Sequence, residues 1–399
     1  MNETEFRHQL FDLAEDAPSG SSAPPALLRR ARRRVVLTIA SSVAIAVLVV
    51  GMGIAGVRAL QTAPIPANPP VEPRPGPAAS GALAYVLDGD IYVADPDGTN
   101  AVKISDAPDA RCEGLSEETY LSWSPDGRYL AFQRDCPSSE QDDMVITDPH
   151  GNAVAEFPTY GGGWGFTWSP DSTRVAVWEP ALTIGVYGVD GERQASLPEP
   201  TVTGGGNSDG PGWMPDGSAL LLFGYAVVPL DGSAGYELSL GGLDPSLGGQ
   251  ATYSPDGTRV AVVTGNSITV LDAEGSLVSE VDGRLDGVEA WSPDGEHFAS
   301  LSHGELNVVD AASGTVTVLP EATAALDGGD EILGIRGFSP QGDRILYATG
   351  DRAGGGMALY SIGVDGSDAR LVVAGTWEGD WQTPPQDALR RSDDGSHVT

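Results

Sequence analysis

The chain has 399 residues, with 22 Lys and Arg against 56 Asp and Glu, a formal charge of −34 and two cysteines. That acidic excess argues against nucleic acid as a partner, because phosphate contacts need clustered basic side chains. Two cysteines exclude a disulfide-dense mini-domain and a four-cysteine zinc site. The charge is uneven: residues 1–80 carry eight Arg and six acidic groups, leaving 14 basic against 50 acidic groups in residues 81–399. Lys103 is the single lysine, an arginine bias that hints at a G+C-rich bacterial genome.

Residues 1–34 form a polar head. Within it, residues 2–15 put Phe6, Leu10 and Leu13 on one helical face, with Asn2 as a cap. This reads as a cytoplasmic tail with a short amphipathic helix, or as a tail lying on the membrane surface. Residues 35–57 (VVLTIASSVAIAVLVVGMGIAGV) hold no charge. At about 1.5 Å per residue this run reaches ~34 Å, enough to cross a bilayer core of ~30 Å. Arg29, Arg30, Arg32, Arg33 and Arg34 precede it and only Arg58 closely follows. The positive-inside rule then predicts a single-pass membrane helix with a cytoplasmic N-terminus and an extracytoplasmic body. A cleaved signal peptide fits less well, since its apolar core is usually ~7–15 residues and no small-x-small site follows. Residues 58–80 are a linker, with seven prolines between 61 and 80, a semi-rigid spacer.

The body, 81–386, is built on one recurring motif: LSWSPDGRYLAF (121–132), FTWSPDSTRVAV (166–177), PGWMPDGSALLL (211–222), ATYSPDGTRVAV (251–262), EAWSPDGEHFAS (289–300) and RGFSPQGDRILY (336–347). Its prolines, from Pro125 to Pro340, are spaced by 45, 45, 40, 38 and 47 residues. An aromatic residue ends one strand, Pro and Asp-Gly make a tight turn, and a second strand alternates with period two. Two more strand-like runs usually follow. Four strands in about 40 residues is the pattern of a propeller blade. Residues 82–105 supply three strands without a motif, and residues 377–384 (WEGDWQTP) supply an aromatic-then-proline strand without the rest. The two pieces are therefore expected to make one composite blade. The fold class is all-β, a seven-bladed β-propeller after a single transmembrane helix; six blades with an irregular tail is the alternative count. Residues 387–399 are a polar tail.

These repeats resemble the TolB-like β-propeller family, whose W-S-P-D-G hairpin is followed by an I-Y-V-x-D strand, as in Asp90–Asp95. The resemblance covers about residues 82–385 and implies the fold rather than a reactive site. TolB's own partners do not carry over, because a membrane span stands here where TolB has an extra domain.

No catalytic residue, cofactor or metal is expected. Gly206–Gly210 matches G-x-S-x-G, but in a loop leading into a propeller strand rather than on a strand-to-helix elbow. His8, His150, His297, His303 and His397 lack zinc-type spacing. Asp95–Asn100 begins like a calcium loop and lacks its Glu, so an Asx-stabilised turn is the better reading. The links between blades and the turns between second and third strands are long and varied: 106–119, 134–143, 158–165, 198–210, 241–249, 320–334 and 350–356. Recognition is expected on that face, with Tyr160 and Trp164 as possible ligand contacts. Cys112 and Cys136 flank the second-blade hairpin, and a disulfide between them is expected outside the membrane. The function predicted is non-catalytic: an anchored scaffold binding a protein or cell-envelope ligand of basic character. A hydrolase or lyase in the central channel is one alternative. A sensor acting on a cytoplasmic factor through the N-terminal tail is the other. Neither the ligand nor the oligomeric state is fixed.

Overall fold

A computed structural model describes residues 81–105, 117–135, 141–160, 165–179, 183–197, 211–222, 226–238, 249–264, 267–281, 285–326, 330–351 and 356–383. The span at 35–57, the head, the linker, the tail, the G-x-S-x-G segment, Cys112, Cys136 and Trp164 lie outside them. Among the described residues no helix is long and apolar enough to cross a membrane.

The described chain forms seven four-stranded antiparallel sheets. Blade 1 holds β1 (Leu83–Leu87), β2 (Asp90–Ala94) and β3 (Val102–Lys103). Blade 2 holds β4 (Glu117–Trp123), β5 (Leu130–Asp135), β6 (Gln141–Thr147) and β7 (Ala153–Tyr160). Blade 3 is β8 (Phe166–Trp168), β9 (Arg174–Glu179), β10 (Thr183–Gly188) and β11 (Arg193–Leu197). Blade 4 is β12 (Gly212–Trp213), β13 (Ala219–Leu222), β14 (Ala226–Pro229) and β15 (Tyr236–Glu237). Blade 5 is β16 (Gly249–Tyr253), β17 (Arg259–Thr264), β18 (Ser267–Asp272) and β19 (Leu277–Val281). Blade 6 is β20 (Ala290–Trp291), β21 (His297–Ser302), β22 (Glu305–Asp310) and β23 (Val316–Val318). Blade 7 is β24 (Glu331–Phe338), β25 (Arg344–Gly350), β26 (Ala358–Gly363) and β27 (Arg370–Ala374). The last strand, β28 (Gly379–Trp381), pairs with β1 and completes blade 1 as the sequence predicts, giving the order β28-β1-β2-β3.

Hydrophobic periodicity explains the layering. The second and third strands of most blades are buried on both faces, as in Val175–Val177 of β9 and Ile268–Leu271 of β18. The fourth strands are mostly exposed, as in β11 and β27, and mark the outer rim. The first strands face the axis: β28 lies against both β4 and β24, and β20 against β24. Apolar side chains gather in seven clusters, each between two adjacent blades. A single sheet exposes two apolar faces, so each blade needs a neighbour on either side, and only a closed ring supplies both.

The motif's polar residues tie each turn. Ser124, Ser169, Ser254 and Ser292 donate through Oγ to the Asp two residues on, at 2.5–2.7 Å. Where Gln341 replaces that Asp, Ser339 donates to Asp343 instead, at 2.6 Å. Asp95–Asn100 closes as an Asx turn, with Asn100 donating to Asp95 at 2.6 Å and the Thr99 N–H to Asp97 at 3.0 Å.

Several expected loops are shorter than their sequence suggested. Tyr160 is the last residue of β7, opposite Gln141, rather than a loop residue, and β4 starts at Glu117 opposite Asp135. The ladders run on because each added residue still finds a backbone partner. A short helix, α1 (Pro320–Ala324), opens the segment expected to be loop from 320, its start favoured by Pro320.

Candidate functional site

The blades are alike, so the informative place is where they stop being alike. Along the channel, the residue before each motif aromatic occupies one ring: Ser122, Thr167, Gly212, Thr252, Ala290, Gly337 and Asp380. Six are small and neutral, and Asp380 alone carries a charge. Two residues earlier on the same strand path comes Glu378, on the same side as Asp380 by the two-residue period of an extended chain.

Both carboxylates grip β4 across the closure seam. The Trp123 N–H donates to Asp380 Oδ2 at 2.8 Å, and the Ser122 hydroxyl to the same oxygen at 3.2 Å. The Tyr120 N–H donates to Glu378 Oε2 at 2.8 Å. These donors sit where the β4–β5 register shifts between Thr119 and Ser122. Tyr120 there takes φ of +51°, a left-handed backbone rare for an aromatic residue. Such strain costs on the order of 1–3 kcal/mol and often marks a working site.

Burial pushes the Asp380 carboxyl up to about 6, although three hydrogen-bond donors pull the other way. Among the described residues no cation acts on it. Burial also raises Glu378, opposed by the Tyr120 N–H and by the positive charge of Arg336. Burial, then the Glu378 charge, raises the Tyr120 phenol. The Arg336 guanidinium lies 5.0 Å from the ring centre of Trp377, which is 39% exposed. Together Tyr120, Ser122, Arg336, Trp377, Glu378 and Asp380 line a depression of about 250 Å³ at the axis between blades 7, 1 and 2.

The seam differs from the other blade junctions in one more respect. Trp168, Trp213 and Trp291 each donate their indole N–H to a carbonyl of the preceding blade, at 3.1–3.2 Å, whereas Trp381 donates to the Pro96 carbonyl of its own blade at 3.1 Å. The buried Trp123 indole N–H finds no such partner among the described residues.

Tyr160 ends β7, and Trp164, Cys112 and Cys136 lie outside the described residues. Sequence reasoning missed the seam site because Glu378 and Asp380 sit in the one copy that lacks the motif. The usable signal was a charge in the slot where six aligned copies carry Ser, Thr, Gly or Ala.

Sequence spacing also hid a second group. Asp294, Glu296 and His297 bring ligand atoms within 4.8 Å of one another on the blade 6 turn. His150 and His303 are exposed turn residues, as expected.

No family model matches the chain, and no curated protein matches it. Among solved structures, the C-terminal WD40 domain of Sif2 is 13% identical, with a TM-score of 0.52 over 76% of this chain and 92% of that one. The β-propeller domain of Cps50 (Swd1) from Myceliophteria thermophila is 13% identical, with a TM-score of 0.47 over 67% of this chain and 90% of that one. The likeness to Sif2 is one of fold: a seven-bladed, WD40-like propeller.

Proposed function

We propose that this chain is a non-catalytic recognition propeller of the TolB-like kind, held outside a bacterial membrane by residues 35–57, that binds a basic protein or cell-envelope ligand. The observation that carries the reading is Asp380, a desolvated carboxylate on which no cation among the described residues acts, beside Glu378 and an exposed tryptophan in an axial depression. A desolvated, unpaired charge costs stability, and a cationic ligand would repay that cost on binding. The acidic body adds a long-range field favouring the same sign of partner. The Arg-flanked apolar span supports the membrane placement, and the W-S-P-D-G copies support the family assignment.

The test is a photo-reactive amino acid at position 377 of the full chain in its membrane. A specific crosslinked species is expected, absent from a control at Leu277 on the outer rim and lost when Glu378→Gln and Asp380→Asn are combined. A crosslink pattern identical at 377 and 277 would refute the site.

One observation favours a second reading, a channel hydrolase or lyase. A carboxyl titrating near 6 suits general acid–base work at neutral pH. Both carboxylates, however, accept backbone N–H groups from a single strand, and no histidine is among the described residues that line the depression. That arrangement fits holding a cation better than moving a proton.

A further inference from the structure

The motif repeat offers an internal comparison at a place remote from the seam. In three junctions between neighbouring blades, a side-chain N–H reaches across to the carbonyl of the turn glycine in the next blade. Arg174 does so to Gly217 at 2.9 Å, Arg259 to Gly295 at 2.6 Å and Gln382 to Gly127 at 2.6 Å. Arg174 shows what the slot provides for a guanidinium. The cation lies 4.9 Å from the ring centre of Trp213, the aromatic of the next motif, and 3.6 Å from Asp171 of its own turn.

Blade 6 carries His297 at the position of Arg174 and Arg259. The imidazole is too short to cross, and no described side chain donates to the Gly342 carbonyl. A cavity of about 440 Å³ is left between blades 6 and 7. Its wall repeats the arginine surroundings: Phe338 stands for Trp213, Asp294 for Asp171 and Gly342 for Gly217. Asp310 faces His297 across the β21–β22 ladder, as Asp272 faces Arg259 across β17–β18, whereas Arg174 faces Gly188. The Ser292 hydroxyl and the Glu296 N–H donate to Asp294 Oδ1, and the Ser313 N–H and hydroxyl donate to Asp310 Oδ1, with the Ala312 N–H a further donor to the Asp310 carboxylate.

We infer that this slot is a binding site for an external guanidinium, the arginine side chain of a partner peptide, which takes the place that the chain's own arginines fill in the equivalent junctions. The planar fork suits two carboxylates and a carbonyl, and the face of Phe338 suits a weakly hydrated cation. The inference stands apart from the seam site, since the slot lies at the W-S-P-D-G turn end of the blades and shares no residue with it.

The test uses the full chain and a blocked Gly-Arg-Gly peptide, with binding followed by calorimetry. Saturable binding is expected, with a lysine analogue weaker. His297→Arg should abolish it by supplying the missing guanidinium in cis, and should raise the unfolding midpoint. Asp310→Asn, a milder change for use if His297→Arg does not fold, should weaken binding roughly tenfold or more, the loss of one charge-assisted contact. Binding that survives these substitutions would overturn the inference. So would a zinc or calcium ion that binds Asp294, Glu296 and His297 and excludes the peptide, which would make the slot a metal site. Absence of saturable peptide binding would also overturn it, and would leave the seam reading untouched.

Discussion

Replacing Asp380 with Asn should stabilise the propeller at neutral pH, an unusual outcome for a residue with three hydrogen-bond donors. The carboxyl titrates near 3.8 when unfolded and at about 6 in the fold, because burial disfavours its charge. About two pKa units correspond to roughly 3 kcal/mol at ~1.36 kcal/mol per unit, the cost of keeping it ionised above pH 6. The residue keeps some exposed surface, so this is an upper bound. Asn retains an oxygen to accept from Trp123 and Ser122. Its amide fits less well with the Trp381 N–H that also holds the carboxylate, a loss of about 1 kcal/mol. The net gain at pH 7 is about 1–2 kcal/mol. The sign follows from proton counting: between pH ~4 and ~6 the folded state binds more protons than the unfolded one, so the stability contributed falls as pH rises through that window. Urea unfolding of both full-length proteins from pH 4 to 8 gives the difference. The turn aspartates such as Asp171 and Asp256, held below the usual range by their hydrogen-bond donors, cancel in it. Equal midpoints at pH 4 with a widening gap by pH 7 are expected. A variant less stable than wild type at pH 7, with a parallel pH profile, would show that Asp380 is a favourable structural latch and that the site argument is wrong.

Gly127 has φ of +67°, and a Cβ there would clash with the Thr383 carbonyl oxygen. Gly127→Ala should therefore loosen ring closure by about 3 kcal/mol or more, seen as faster proteolysis near β28; unchanged proteolysis would refute the contact. Deleting residues 377–399 removes β28, exposes the sheet edge of β1 and frees the Tyr120 and Trp123 N–H groups of β4, so loss of cooperative unfolding or aggregation is expected. A truncated chain that melts like the full one would rule out the composite blade. Glu117, five positions after Cys112, pairs with Asp135, the residue before Cys136. Neither thiol should be alkylated before reduction, and two freely alkylated thiols would sink the disulfide. A reporter fused after Thr399 should be active only outside the cytoplasm; cytoplasmic activity would overturn the orientation.

The propeller was legible from local chemistry. Six copies of an aromatic-Pro-Asp-Gly turn with a period-two strand specify a hairpin wherever they occur. Their spacing specifies four strands per blade, and the unmatched pieces at 82–105 and 377–384 imply closure because a ring leaves no edge exposed. The functional candidates were not legible, for a matching reason. Glu378 and Asp380 look like ordinary polar residues in the copy that lacks the motif, and only closure sets them against the Tyr120 and Trp123 N–H groups and withdraws them from water. His297 reads as one more surface histidine until the fold aligns it with Arg174 and Arg259 and shows the slot it fails to fill. Strand identity is set by neighbours one to five residues apart, which the sequence displays. Desolvation and charge pairing are set by residues up to 258 positions away, and only tertiary structure decides those.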